Sequence, residues 1–451
     1  MPTDPTDLSL TELADAYRRG DLTPTEATDA YLERLEPDVA VRVVTADRAR
    51  KQARRAERAL RAGVDLGPLQ GVPIAIKDLL DMEGERSAAG SRALLERVAP
   101  AERDAPLVAR LDAAGAVFVA RTHMTELAFS GLGLNPHFGT PGSVPDPERV
   151  PGGSSSGSAV VVASRRACAA LGSDTGGSVR IPAAFQNLVG LKTGDGTLPM
   201  EGTVPLSTTL DTIGPIARTL PDAWAVWRAL RGMAPSPTPA WNDRPLRLLV
   251  PETVVQDDLD AEVASAFEAA LSALAAHGHD LDLRPVPELD DLAGLYPRYG
   301  SFAAHEALVL HEELLTDAGE KVDPRVSGRI VAVRDRPSYD YVKLGYERDR
   351  LARRFWERTA GYDAVLSPTV ACLAPRIDAL VTDDDAYYAA NAKVLRNTTL
   401  FNLLAGPAAT VPIGNPEGPA VGGSVATAPG REAHALGVAA AWQEALTGER
   451  P

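Results

Sequence analysis

The sequence predicts an α/β protein in which a large central mixed β-sheet is covered by helices on both faces. Three observations lead there. From about residue 70, short apolar segments alternate with helical patterns, the signature of a sheet with helices packed against it. Strand-like segments return after residue 246, so the pattern is not confined to one half. The chain has 451 residues, 45% hydrophobic and 24% charged, which is enough for a sizeable core.

The elements follow in order. The first 60 or so residues read as helical. Ser9 with Glu12 and Thr23 with Glu26 form capping boxes, and Pro24 takes a first helical position. The basic stretch RARKQARRAERALRAG reads as a helix with a solvated face. VPIAI (72–76) is a strand candidate. Residues 107–121 read as helix, glycine turn, strand. Residues 158–166 and 167–175 repeat helix then strand. MAPSPTPAWNDRP (233–245) is linker-like. LRLLVP (246–251) is a strand, 261–277 an amphipathic helix, and 300–360 mainly helical. YDAVLSPT (362–369) and AATVPIG (408–414) supply further strands.

Composition narrows the function. A net charge of −15 disfavours a nucleic-acid backbone or an anionic membrane as partner, since both require a positive field. Two cysteines, Cys168 and Cys372, make no disulfide framework, and a reduced cytoplasmic setting is expected. No signal peptide is visible at the N-terminus. No apolar run approaches the about 20 residues of a membrane span. His277 with His279, and His305 with His311, lack metal-binding spacing, so neither a metal nor a cofactor is expected.

The chemistry concentrates in two glycine–serine turns and one lysine. PGGSSSGSA (151–159) leads directly into an apolar run, unlike a linker, and it lacks the Lys of a phosphate loop. Gly153–Gly157 also satisfies the G-x-S-x-G nucleophile elbow, with Ser155 as nucleophile and His434 as its downstream histidine. A second turn, GSDTGGSVR (172–180), ends another strand candidate. GVPIAIKD (71–78) delivers Lys77, one of six lysines, to a strand end. An apolar strand end can desolvate an amine. Lowering a lysine pKa by about 3 corresponds to roughly 4 kcal/mol, which burial beside hydroxyls can supply. The competing role for Lys77 is an ion pair with Asp78 or another acid.

With these stretches, the chain resembles the amidase signature family of serine hydrolases. The resemblance is carried by PLQGVPIAIKD, RTHMTELAFSGLGLNPHFGTP, VPGGSSSGSAVVVA, LGSDTGGSVRIPAAFQNLVGLKT and LDTIGPIART, and it resumes at YDAVLSPT and NLLAGPAATVPIG. It implies the amidase signature fold as one domain over 1–451. That domain comprises an N-terminal helical segment (1–62), a catalytic core (70–220) and a C-terminal part (246–451) completing the sheet and substrate pocket. It implies a Ser–cisSer–Lys triad: Lys77 as base, Ser154 as the bridging serine with a cis peptide bond, and Ser178 as nucleophile. The 24-residue spacing of Ser154 and Ser178 matches the family and selects Ser154 over Ser155 and Ser156. The backbone N–H groups of Thr175, Gly176, Gly177 and Ser178 are the expected oxyanion donors. Ser130 and Gly153 are expected at the substrate, with Asp174 and Arg180 in support. Asn135, Thr193 and Asp211 are read as architectural.

The resemblance implies an amidohydrolase that acts on a small-molecule amide without cofactor, with esterase activity as a corollary of the acyl-enzyme. A homodimer is left open. A glutamine-hydrolysing component of an amidotransferase complex is the first alternative, and the Ser155–His434 hydrolase the second. Two segments depart from the family: TGDGTLP (193–199), which loses an arginine, and GPAVGGSVATAPG (418–430). Both flank the pocket, so a relative's substrate does not transfer.

Overall fold

The computed structural model describes residues 4–239, 244–414 and 418–449. Its centre is an 11-stranded mixed sheet. The strands are β1 Val41–Val44, β2 Pro73–Lys77, β3 Val117–Thr122, β4 Ala169–Asp174, β5 Val189–Lys192, β6 Thr212–Ala217, β7 Arg247–Pro251, β8 Asp280–Arg284, β9 Ala364–Pro368, β10 Ala408–Pro412 and β11 Gly422–Ala426. They lie in the order β1-β3-β2-β4-β6-β5-β10-β11-β9-β7-β8. β2 pairs in parallel with both β3 and β4, while β4 runs antiparallel to β6. The antiparallel pair β5–β10 joins the signature region to the C-terminal half.

Alternation along the strands sends side chains into two cores. On β2, Ile74 and Ile76 enter one cluster and Ala75 the other. On β4, Ala169 and Leu171 oppose Ala170 in the same way. The second cluster is closed by Val160, Val161 and Val162 of helix Ser156–Ala163 and by Ala49 and Ala53 of helix Ala46–Arg61. That short apolar helix follows the first glycine–serine stretch, so the stretch is packed into the interior. Lys77 continues the alternation of Ala75 and meets the head of this helix.

Both expected capping boxes form, at helices Leu10–Arg19 and Pro24–Glu33. The N-terminal segment is not purely helical, however. VRVV supplies β1, an edge strand antiparallel to β3. Its arginine breaks the apolar run, and four residues give too short a period to read. GGSVA (β11), DLDLR (β8), VGLK (β5) and TIGPIA (β6) were also hidden as strands, because their glycines, charges or proline contradict local strand preference. The expected linker begins against helix Leu220–Leu230, where Trp224 Nε1 donates to Ser236 O at 2.9 Å. Residues 240–243 of that linker lie outside the described residues. Among the described residues, no helix is long and apolar enough to cross a membrane.

Gly157 fixes the entry of the buried helix. Its N–H donates to His123 O at 3.1 Å. A Cβ there would stand 2.3 Å from Ala40 O and 2.7 Å from His123 O, both backbone atoms that cannot step aside. Gly157→Ala is therefore expected to destabilise the protein by at least about 2 kcal/mol, read as a lower urea midpoint at unchanged slope.

Candidate active site

The parallel strands β2 and β4 end side by side, and their carboxyl ends carry the site, as is usual for crevices in α/β sheets. β2 ends on Lys77, which is fully buried. Its Nζ lies 2.8 Å from each of Ser154 Oγ, Ser155 Oγ and Ser173 Oγ, so the neutral amine has two hydroxyls to donate to and one to accept from. Burial draws the Lys77 amine down to about 7; the charges of Asp174 and Asp211 oppose the shift without cancelling it. The ion pair with Asp78 does not form. Asp78 is held instead by Arg121 at 3.0 Å and Arg42 at 2.7 Å, again in the interior.

The peptide bond Gly153–Ser154 is cis, at the position the resemblance implied. Ser154 is buried, with its hydroxyl on Lys77. Ser178 belongs to the turn that follows β4, and it lines a cavity of about 600 Å³. The two glycine–serine stretches touch: Ser155 N–H donates to Ser178 O at 3.3 Å.

Asp174 organises this turn. Its carboxylate accepts from Gly177 N at 2.9 Å, Val179 N at 3.2 Å, Asn402 Nδ2 at 2.8 Å, and from Arg180 Nε and Nη2 at 3.0 and 2.9 Å. Burial alone would raise this carboxyl. The Arg180 guanidinium, with Lys192 and the Asn402 amide, overrides burial and holds it at about 2. Thr398 Oγ1 clasps the turn from helix Asp384–Leu403, donating to Gly176 O at 2.6 Å. Gly177 has φ +133°, and a Cβ there would meet Thr398 Oγ1 at 2.2 Å, so only glycine fits.

The expected oxyanion donors divide. Thr175, Gly176 and Ser178 line the cavity, and among the described residues no acceptor takes their N–H groups. Gly177 is a correction: its N–H is committed to Asp174, and it is not part of the lining. Ser130 lines the cavity and donates to Asn391 Oδ1 at 2.9 Å. Gly153, expected at the substrate, is not among the residues lining this cavity. It stands behind the wall, with Gly133 N only 2.5 Å from where a Cβ would be. It spaces two backbones.

Ser155 and His434 do not come together. Ser155 Oγ accepts from Lys77 and donates to Ser173 O at 3.3 Å. His434 Nε2 lies 2.9 Å from Asp363 O, beside β9 and five strands away from β4. The elbow match was a product of local glycine and serine richness. Asn135 is architectural as read, its Nδ2 donating to Gly90 O and Met124 O at 2.8 Å each. Asp211 does more than expected: it accepts from Thr175 Oγ1 at 2.5 Å, and burial lifts its carboxyl to about 6. Ser173 as a third hydroxyl on Lys77 was missed, because it depends on the β2–β4 register.

A titration of side-chain-labelled lysine by NMR is expected to show one amine with a midpoint near pH 7 that disappears in Lys77→Ala. A Lys77 midpoint above 9 would contradict the burial argument.

Comparison with known proteins agrees with this geometry. The Amidase family model matches residues 26–436. The 2-amino-5-chloromuconic acid deaminase of Comamonas testosteroni is 37% identical over 98% of this chain and 96% of its own length. A glutamyl-tRNA(Gln) amidotransferase component from Symbiobacterium thermophilum is 32% identical, over 97% and 96% respectively. A crystal structure of an amidase superposes with a TM-score of 0.86 at 32% identity, covering 97% of this chain and 99% of that one. Ordered sequence blocks, a shared fold and a family model spanning most of the chain converge on one conclusion: this chain belongs to the amidase signature family of hydrolases.

Proposed function

We propose that the protein hydrolyses the amide of a small carboxylic acid to the carboxylate and ammonia or an amine, through an acyl-enzyme on Ser178. The observation that carries this reading is the buried Lys77 amine, held near neutrality and in direct contact with Ser154 Oγ, beside a turn that presents Ser178 to a cavity.

Neutral Lys77 accepts the Ser154 proton as Ser154 takes the proton of Ser178. The Ser178 oxygen attacks the amide carbon, and the carbonyl π pair moves onto oxygen. The N–H groups of Thr175, Gly176 and Ser178 receive the oxyanion. A preorganised donor of this kind typically contributes about 10²–10³-fold in rate. The intermediate collapses as Ser154 returns a proton to the leaving nitrogen. Water then enters by the same proton route and releases the acid, restoring Ser178. An ester fits the same sequence with an alcohol as leaving group. No step calls for a cofactor.

The substrate is a small molecule, since the nucleophile lines a mainly apolar cavity of about 600 Å³. The relative from Comamonas testosteroni is named for a deamination of an acid, in keeping with release of ammonia. The amidotransferase reading draws on the similarity to the component from Symbiobacterium thermophilum. We propose a cytoplasmic setting on the basis of the two unpaired cysteines, both buried.

The test is hydrolysis of a panel of primary amides, anilides and esters, with glutamine included. Lys77→Ala, Ser154→Ala and Ser178→Ala should each lose at least about 10³-fold in kcat/KM. The triple variant should lose little more than the worst single one, because the three act as a unit. Ser155→Ala should stay within about tenfold. The base must be neutral, so kcat/KM should rise with pH through about 7 and level off above it. Full activity in Ser178→Ala would sink the mechanism. Preference for glutamine with a co-purifying partner would favour the amidotransferase reading.

A further inference from the structure

Asp211 stands immediately before β6 and is bound to two parts of the cavity wall at once. Its Oδ1 accepts from Thr175 Oγ1 at 2.5 Å, and its Oδ2 accepts from Leu206 N and Ser207 N at 2.8 and 3.0 Å. Thr175 belongs to the reacting turn, and Leu206 and Leu210 line the same cavity. Both carboxylate oxygens are needed as acceptors; the amide of an asparagine offers only one. Among the described residues, no Lys, Arg or His forms an ion pair with Asp211, whose partners are the hydroxyl and the two amides. A partly buried carboxylate held without a cation is costly, and one placed beside a reacting turn calls for a role.

The next residue grips the same peptide. Thr212 Oγ1 donates to Asp174 O at 2.9 Å. The Asp174–Thr175 peptide is trans, so its carbonyl and its N–H point in opposite directions. Thr212 fixes the carbonyl, and Asp211 fixes the side chain of the residue that bears the N–H. Among the described residues, the Thr175 N–H itself has no acceptor. The loop behind Asp211 is anchored as well. Glu306 Oε2 accepts from Ser207 Oγ at 2.6 Å and Thr209 N at 3.0 Å, and its Oε1 accepts from Tyr341 OH at 2.7 Å. Glu306 and Tyr341 belong to helices Phe302–Leu310 and Ser338–Thr359, so Asp211 bears on a loop tied to two helices.

We infer that Asp211 is a positioning residue for the hydrolysis: it holds the Thr175 side chain against the anchored loop 206–210 and so aims the Thr175 N–H at the oxyanion. The inference rests on the reading above that Thr175 is an oxyanion donor and Ser178 the nucleophile. The charged form of Asp211 makes the brace. Burial raises this carboxyl, the Thr175 hydroxyl and the two loop amides pull it back, and the charge of Glu306 adds to the rise, leaving it at about 6. The other ionisable groups around it are Tyr341 beside Glu306, His311, whose Nε2 lies 2.9 Å from Pro205 O, and Lys77 and Asp174 of the site itself. The brace is therefore intact above about pH 6 and weakens as pH falls through that value.

Two measurements test this. The first is carbon-13 NMR of aspartate-labelled protein, following the Asp211 carboxyl carbon, which is assigned by its loss in Asp211→Ala. Its midpoint should lie near pH 6. Thr175→Val removes a donor that favours the charged form, so the midpoint should rise toward about 7, and Thr175→Ser should restore it. The second is the rate of inactivation by a small alkyl phosphonofluoridate, in which the Ser178 oxygen bonds to phosphorus and fluoride leaves. Thr175→Val should lower the maximal rate about 10–100-fold, part of the full contribution of one donor, with the half-saturating concentration within about threefold. Thr175→Ser should stay within about threefold of the unaltered protein in rate, as expected if only the hydroxyl matters. Adding Thr175→Val to Asp211→Ala should cost no more than about twofold further, because the two act through one contact. An Asp211 midpoint indifferent to Thr175→Val would overturn the inference. So would an undiminished rate in Thr175→Val, or its full loss repeated on top of Asp211→Ala. Reaction at a residue other than Ser178, or no adduct at all, would count against the Ser178 mechanism instead, and the carboxyl midpoint would still decide whether Asp211 holds Thr175.

Discussion

The site depends on keeping a lysine buried without giving it a carboxylate to hold. Taking the Lys77 amine from about 10.5 to about 7 represents roughly 5 kcal/mol of preference for the neutral form. The charges of Asp174 and Asp211 act against this without undoing it. Asp78 is the next residue, and Asp174 ends the neighbouring parallel strand. Each has its own arginine in the interior: Arg121, joined by Arg42, for Asp78, and Arg180 for Asp174. The guanidiniums keep the carboxylates occupied, and three serine hydroxyls are left to the amine. A neutral amine among hydroxyls is a base; the same amine beside a free carboxylate would be a permanent cation.

The arginine on Asp174 has a second effect. One buried carboxylate ties together the turn's amides, a guanidinium and Asn402 of a distant helix. Backbone N–H groups aim well only when their peptide planes cannot rotate. The use of Gly177 N–H inside this knot fixes the turn between Gly176 and Ser178, both of which line the cavity. Rigidity at the turn and neutrality at the lysine thus share one pair of charges. Replacing either partner alone would strand a buried ion, which is far costlier than losing the pair.

Much of this was legible in the sequence, for identifiable reasons. Helix starts were readable because Ser9, Glu12, Thr23 and Glu26 act within one turn of chain. Central strands were readable because β2, β3 and β4 are buried on both faces and stay apolar until their carboxyl ends. Lys77 stood out because a charge at the end of such a strand is expensive. The choice of Ser154 over Ser155 came only through resemblance, since three adjacent serines look alike locally. What stayed hidden depends on chain pairing or on distant segments. Ser173 reaches Lys77 through strand register, and β11 is held in the sheet by its neighbours despite its glycines. The close packing of Gly153 against Gly133 is likewise invisible in the sequence.

Helix Asp384–Leu403 has a consequence for when the protein becomes active. Lys77, Ser154 and Ser178 all lie in the first 180 residues, yet Thr398 and Asn402, which hold the reacting turn, are more than 200 positions later. The strand that joins the halves, β10, comes later still. A ribosome-bound chain can carry all three chemical groups long before anything clamps the turn or closes the cavity. The hydrolase is therefore assembled last to first: its reactive centre, encoded early, is switched on by the folding of its final quarter.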